Sequence, residues 1–466
     1  MLGEEGVSEV AATWIWRGEG EPFLLVGTAD GSASPLPDKA RQGDAVMAGS
    51  VSLEVPLAAS HGVWVLNEGA GSAARMSADT KRRLWKRAGI SCNAEKPLPA
   101  RVYAVTIVNQ EPWRFERIGR GRPPRLGDDG WPEEEAQRRA ARAAARALYA
   151  LGLDIGEAEV ALSDGGRAIV LDARPLAADS AAGEAALEAF AARYAAADAG
   201  GGGGRILIGA DPEFALLTPA GKLAPASRFF GEGAAGATGA DAMVVGRRVI
   251  YPVAELRPAP AETPAALAAN VRRLLARAAV RVSDPALRWV AGAMPLPGLA
   301  LGGHIHISGA PLTGRLLRLL DSCAAYPLAL VEDPAGRGRR PRYGALGDVR
   351  LQPHGGFEYR TLPSWLVSPA AAKAAFALAL LCAREAMRMP RVPAREERYA
   401  EAYYAGDRTE LAGCLDEVAA AIAATESYPA LAQYIEPLFD AARRGKTWDE
   451  SADIRAKWRI PQPKLQ

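Results

Sequence analysis

Four short stretches carry ionisable residues two apart: "GADPEF" with Asp211 and Glu213, "VAELRP" with Glu255 and Arg257, "GGHIHISG" with His304 and His306, and "GGFEYRTL" with Glu358 and Arg360. On an extended strand, residues i and i+2 face the same side of a sheet. Each pair would line one surface, while Ile305 and Ile307, or Phe357 and Tyr359, bury on the other. Taken singly, such a pair is equally a solvated alternation of charges or a hydrogen-bonded histidine pair in a core. If the four strands share one sheet, its polar face gathers five carboxyl or imidazole candidates for a cation (Asp211, Glu213, Glu255, His304 and Glu358), with His306, Arg257 and Arg360 beside them. Carboxylates with imidazoles are what a divalent cation requires. Neighbouring arginines are what phosphate oxygens require, through planar two-pronged contacts.

A further stretch, "GRGRRPRYG" (336–344), offers Arg337, Arg339, Arg340 and Arg342, either as a solvated basic loop or as more phosphate contacts. Together these residues point to a metal-bound nucleoside triphosphate. The chain has no GxxxxGK[ST] loop, so phosphates would be held by cations and arginines and not by a backbone cradle. It has no G-x-S-x-G elbow and no cysteine beside a histidine to suggest a protein nucleophile.

The elements that must position these pairs divide at "AAADAGGGGGRILIGADPEF", where five glycines, Gly200 to Gly204, read as a flexible linker. We expect a first domain over 1–199, the linker over 200–204, a second domain over 205–392 and a helical extension over 393–466. In the first domain, "SADTKRRLWKRAG" predicts a helix with Ser77 as its N-cap and Gly89 as its stop. "PEEEAQRRAARAAARALYALG" predicts another, and "AEVALSDGGRAIVLDARP" a hairpin around a D-G-G turn. In the second domain, helices are expected over 263–281, 312–331 and 369–389, between the strands that carry the ionisable pairs.

Composition sets outer bounds. The 466 residues are 49 % hydrophobic and 24 % charged, as a globular protein requires, with a formal net charge of +2 that gives no case for a nucleic-acid partner. Four scattered cysteines (Cys92, Cys323, Cys382, Cys414) form no CxxC pair, which predicts a reducing compartment. The acidic start MLGEEGVSEV lacks the pattern of a signal peptide. The longest apolar run, "AAFALALLCA" (374–383), falls short of the roughly 20 residues that span a bilayer. A cytoplasmic protein without a membrane partner is therefore expected.

The motifs "GADPEF", "ELRP", "GGHIHISG", "YGALGDVR" and "GGFEYRTLPSWLVSP", in that order, resemble the bacterial and phage amidoligases, the COOH-NH2 ligase group of the glutamine synthetase and glutamate–cysteine ligase superfamily. The resemblance implies an α+β fold, with a curved antiparallel sheet, helices on its outer face, and ATP with Mg²⁺ or Mn²⁺ on its concave face. It places Asp211, Glu213, Glu255, His304 and Glu358 as metal ligands, and His306 nearer the ATP phosphates. Arg360 would face the transferred phosphate, with Arg257 and Arg340 as further phosphate or substrate contacts. Aspartate stands at 211 where glutamine synthetase has glutamate.

The first domain is similar to ATP-grasp domains of the spore-coat-associated type, in truncated form. Only "SCNAEKPLPA" (91–100) stands where such proteins carry a lid over the nucleotide, and the terminal metal motif reads Asp172-Ala173-Arg174. An arginine there predicts a scaffold that does not bind ATP, with Asp172 as the partner of Arg174.

The implied activity is ATP-dependent joining of a carboxylate to an amine, the substrates being small molecules or peptides. A carboxylate is a poor acyl donor because oxide would have to leave; as an acyl phosphate it can be attacked by an amine. Two other readings stay open at this level: a Zn²⁺ or Mn²⁺ metallohydrolase using the same ligands, which leaves Arg257 and Arg360 without a task, and a non-catalytic scaffold with a relict ligase fold.

Overall fold

A computed structural model describes residues 64–93, 101–128, 130–176, 181–190, 205–233, 236–245, 248–352, 356–386, 388–389 and 393–460. It also describes the strand segments Ala11–Trp16, Leu24–Thr28, Ser34–Pro35, Ala45–Ala48 and Leu53–Glu54. The glycine linker, Lys96 with most of the shortened lid segment, and the tail from Pro461 lie outside the described residues. The chain divides into two compact units, 1–203 and 204–466, apart from Thr313–Arg315, which group with the first.

In the first unit the expected signals act where they stand. Ser77 caps the Ala78–Arg87 helix by accepting the Thr80 N–H at 3.2 Å, and Gly89 takes a positive φ of 71° just past its end. The helix Glu135–Ala150 turns Ala140, Ala144, Ala147 and Leu148 into the core. Beneath it lies an antiparallel sheet in the spatial order Ala168–Pro175, Ile155–Leu162, Arg101–Val108, Glu111–Ile118. Tyr103, Val105, Phe115, Val160 and Val170 fill the space between. One expectation fails. Asp172 does not pair with Arg174: its Oδ1 accepts from Lys81 Nζ at 3.0 Å, while Arg174 reaches across the hairpin to Glu157 at 2.6 Å. The strand register puts Glu157 directly opposite Arg174.

The second unit has the expected α+β class. Its sheet is antiparallel and curled, along the order Thr238–Val245, Arg248–Leu256, Leu207–Leu217, Gly303–Ser308, Phe357–Tyr359, Val349–Leu351. Burial along Gly303–Ser308 alternates strictly, with Ile305 and Ile307 fully buried and both histidines partly accessible. The other face meets the Pro369–Glu385 helix. That segment is buried nearly all round because Trp365, stacked edge-on against Phe376 at 4.6 Å, and neighbouring helices enclose it. Thr263 and Ser368 cap the helices Pro264–Arg281 and Pro369–Glu385, each followed by a proline whose missing N–H costs nothing there.

The helix expected over 312–331 runs through Gly314–Leu320 and Tyr326–Val331 with a π-turn between them at Asp321–Ala325. The helices beyond 393, expected as an extension, pack into this same unit. Trp458 Nε1 donates to the Leu366 carbonyl at 2.6 Å, and the Glu450 carboxylate accepts the N–H groups of Ala293 and Met294 at 2.8 and 2.9 Å. Among the described residues no helix is long and apolar enough to cross a membrane.

Candidate functional site

Strand register does what the spacing could not promise. Asp211 lies directly opposite His304, His306 opposite Glu358, and Glu213 opposite Glu255, so three adjacent pairings put the ionisable residues on one face. The glycines before the histidines are steric requirements. A β-carbon on Gly302 would fall 2.5 Å from His304 Nε2, and one on Gly303 would fall 2.3 Å from the Pro363 carbonyl oxygen. The imidazole of His304 therefore folds back over its own glycine, while the Gly303 carbonyl receives Trp365 Nε1–H at 2.9 Å.

At the centre, His304 Nδ1 sits 3.2 Å from both Asp211 Oδ1 and Glu358 Oε1, and His306 Nε2 is 3.2 Å from Asp211 Oδ2. Arg360 Nε lies 3.0 Å from the same Glu358 oxygen. Yet Asp211 Oδ1, His304 Nδ1, His306 Nε2, Glu358 Oε1 and Arg360 Nε are all buried and make no hydrogen bond. The groups crowd together at ion-pair distance without the alignment of hydrogen bonds. Buried polar atoms normally find partners. One ligand atom each from Asp211, His304 and Glu358 lies within 4.8 Å of the other two. A cation with ligands at about 2.1 Å holds them about 3 to 4.2 Å apart, and the 3.2 Å separations of His304 Nδ1 from the two carboxylate oxygens fall within that span. Two carboxylates and one imidazole suit Mg²⁺ or Mn²⁺, and the donor set fits.

The charges agree with that arrangement. Burial opposes ionisation of Asp211, but the imidazoles beside it overcome the penalty and hold its carboxyl well below the usual range. Burial likewise opposes the charge on His304, but Asp211, Glu358 and Glu213 push it up to about 10. Glu213 is pushed up to about 7 by burial, with Asp241 and Asp211 adding to the shift against His304 and the Gly302 N–H that its Oε2 accepts at 2.7 Å. Glu255 rises to about 8, first from burial and then from Asp211, although Arg257 pairs with it. The face thus holds more carboxylates than its own cations can ionise, the condition a bound metal ion reverses.

A cavity of about 490 Å³ opens beside the centre, lined among others by Asp211, Glu255, Arg257, His306 and Glu358. Ser308, on the histidines' face, lines it too, as do three polar residues that the spacing argument did not single out: Asp241, Arg350 and Gln352. Arg350 and Gln352 are another i, i+2 pair, visible only as part of "YGALGDVRLQ". Ser308 extends the His-x-His alternation by one step. Asp241 carried no signal beyond a lone acid in an apolar run.

Arg340 is elsewhere. It is buried, ion-paired with Glu332, stacked 4.3 Å over the Tyr403 ring, and donates to the Tyr403 carbonyl at 2.8 Å. Arg339 is equally buried and donates to the carbonyls of Thr361 and Leu362 at 3.0 Å. The basic stretch is therefore only in part a solvated loop, and Arg340 does not line the cavity. Arg337 and Arg342 stay exposed, while Arg340 packs onto Tyr403 and Arg339 onto the 361–362 backbone.

The antiparallel sheet thus gathers a carboxylate–imidazole group that could hold a cation, with arginines lining a cavity beside it. Residues 208–460, more than half of the chain, match the family model described as phage phiEco32-like COOH.NH2 ligase-type 2, and the protein belongs to that family of ligases. No curated protein sequence matches the chain.

Among solved structures it is similar to a bifunctional glutathione synthetase from Pasteurella multocida, at 11% identity and a TM-score of 0.34, over 55% of this chain and 48% of that one. It is also similar to GmaS in its apo form, at 14% identity and a TM-score of 0.30, over 61% of this chain and 80% of that one. The GmaS–ADP complex gives 13% identity and a TM-score of 0.29 over the same shares, 61% and 80%. The chain spans less than half of the glutathione synthetase's own length.

Proposed function

We propose that the protein is an ATP-dependent carboxylate–amine ligase that works through an acyl phosphate, with Asp211, His304 and Glu358 holding Mg²⁺ or Mn²⁺. The observation that carries this reading is the group of buried carboxylate and imidazole atoms, close together but not aligned as hydrogen bonds, beside a cavity that Arg257 and Arg350 line. A divalent ion held there would neutralise phosphate charge and orient the terminal phosphoryl group for in-line transfer. The arginines give planar donors to the equatorial oxygens as charge spreads over them. Glu213 and Glu255, opposite one another on adjacent strands, are poised to turn toward added positive charge.

In the reaction, a substrate carboxylate oxygen attacks the γ-phosphorus and ADP leaves. The amine nitrogen then attacks the acyl carbon, and phosphate leaves with that oxygen. The substrate supplies its own nucleophile, so no protein nucleophile is needed. ADP release screened over amino acids and small peptides with Mg²⁺ and Mn²⁺ tests the activity. Passage of ¹⁸O from the substrate carboxylate to inorganic phosphate tests the intermediate; amide formed without that passage refutes it.

We further infer that the first unit is an ATP-grasp-like scaffold that does not hold Mg-ATP. Its Asp172 already accepts a lysine, with Lys81 Nζ also donating to the Ala173 carbonyl at 2.7 Å. Calorimetry on the whole chain should count one Mg-ATP per molecule, and a count of two would overturn this inference.

A further inference from the structure

We propose that Gln352 is a positioning residue for the Glu358 carboxylate, a proposal that rests on the ligase reading of the same site. Glu358 shows its two oxygens to different surroundings. Oε1 faces the centre, 3.2 Å from His304 Nδ1 and 3.0 Å from Arg360 Nε. Oε2 faces outward, where it accepts a hydrogen bond from Gln352 Nε2 at 3.0 Å and lies 3.2 Å from Arg350 Nη1. Rotation about the last torsion of a glutamate is soft and nearly two-fold. Without an outer partner the carboxylate plane would be held from the His304 and Arg360 side alone.

The backbone sets the donor in place. Val349–Leu351 pairs with Phe357–Tyr359, and the Gln352 N–H closes the pair on the Gly356 carbonyl at 2.8 Å. Gln352 thereby shares a face with Arg350, which stands directly opposite Glu358. The two partners differ in kind. The Arg350 side chain is 57% exposed and lines the cavity, so it is free to turn toward an anionic ligand there. Once it does, the Gln352 amide alone holds Oε2. A neutral amide fixes the plane without cancelling the charge that a cation needs; a lysine in its place would cancel it.

The test is Mn²⁺ binding to the full-length protein, read by electron paramagnetic resonance without nucleotide. Gln352→Met keeps the length and removes the donor, and should raise the Mn²⁺ dissociation constant about 10- to 100-fold, the range for loss of a partner that orients a metal ligand. Gln352→Asn, which draws the donor back, should weaken binding in the same direction. Arg350→Met should change it by less than about threefold while impairing ATP turnover. Thermal melting without metal shows whether each variant is folded. Wild-type Mn²⁺ affinity in folded Gln352→Met or Gln352→Asn overturns the proposal. Absence of Mn²⁺ binding in the wild-type protein instead refutes the metal site, and this inference falls with it.

Discussion

Glu358→Gln keeps the shape of the residue at the centre of the site and removes its charge. Repulsion within an acid cluster, the only consideration that composition offers, suggests that the metal-free protein should gain stability. The surroundings of Glu358 reverse that sign. Burial opposes its ionisation, yet the His304 imidazole outweighs the penalty and holds the carboxyl below its usual value. Near neutral pH its charge therefore supports the fold. The substituted amide also meets donors on both sides, Gln352 Nε2 outside and Arg360 Nε with His304 inside. Whichever way it turns, an N–H faces a donor, and such a mismatch costs about 1–3 kcal/mol.

Metal affinity should fall further. A unit charge pair about 4 Å apart is worth about 4 kcal/mol at an effective dielectric constant of about 20. Taking that as the loss, at about 1.4 kcal/mol per decade, Mn²⁺ should bind about 10³-fold more weakly. Thermal melts without metal and Mn²⁺ titrations check the two parts separately. A variant more stable than wild type, or one that keeps its Mn²⁺ affinity, refutes the account of this residue.

Arg340→Met should lower stability by about 3–5 kcal/mol by stranding the buried Glu332, with Mn²⁺ affinity of the folded fraction unchanged, as denaturant melts and metal titration will show. Burial raises Glu450 above its usual value despite its three backbone N–H partners, on Ala293, Met294 and Asp333. An acid with a raised folded-state value contributes stability that is complete below its unfolded value, about 4.3, and is lost as pH rises through the folded one. Glu450→Gln should flatten the stability–pH curve just above about pH 4.3 in denaturant melts; an unchanged slope refutes the linkage.

Local rules of the chain are sufficient for much of this protein. Alternation over "GHIHIS" separates the histidines from Ile305 and Ile307, and the capping residues Ser77, Thr263 and Ser368 start their helices where the sequence places them. Both are short-range effects, settled by bond geometry and by backbone groups a few residues away. The family was legible for a related reason: five motifs in order record which side chains share a face.

What those rules cannot reach is which faces meet. The pairing of Asp211 with His304 and of Glu358 with His306 joins residues 93 and 52 positions apart through strand register alone. Arg340 and Arg360 are alike as sequence, each an arginine in a motif rich in glycine. One is drawn under the helices beyond 393 onto Glu332 and Tyr403, and the other is left beside Glu358. Burial of a charge is decided by the partners that packing brings to it, and those partners come from distant parts of the chain.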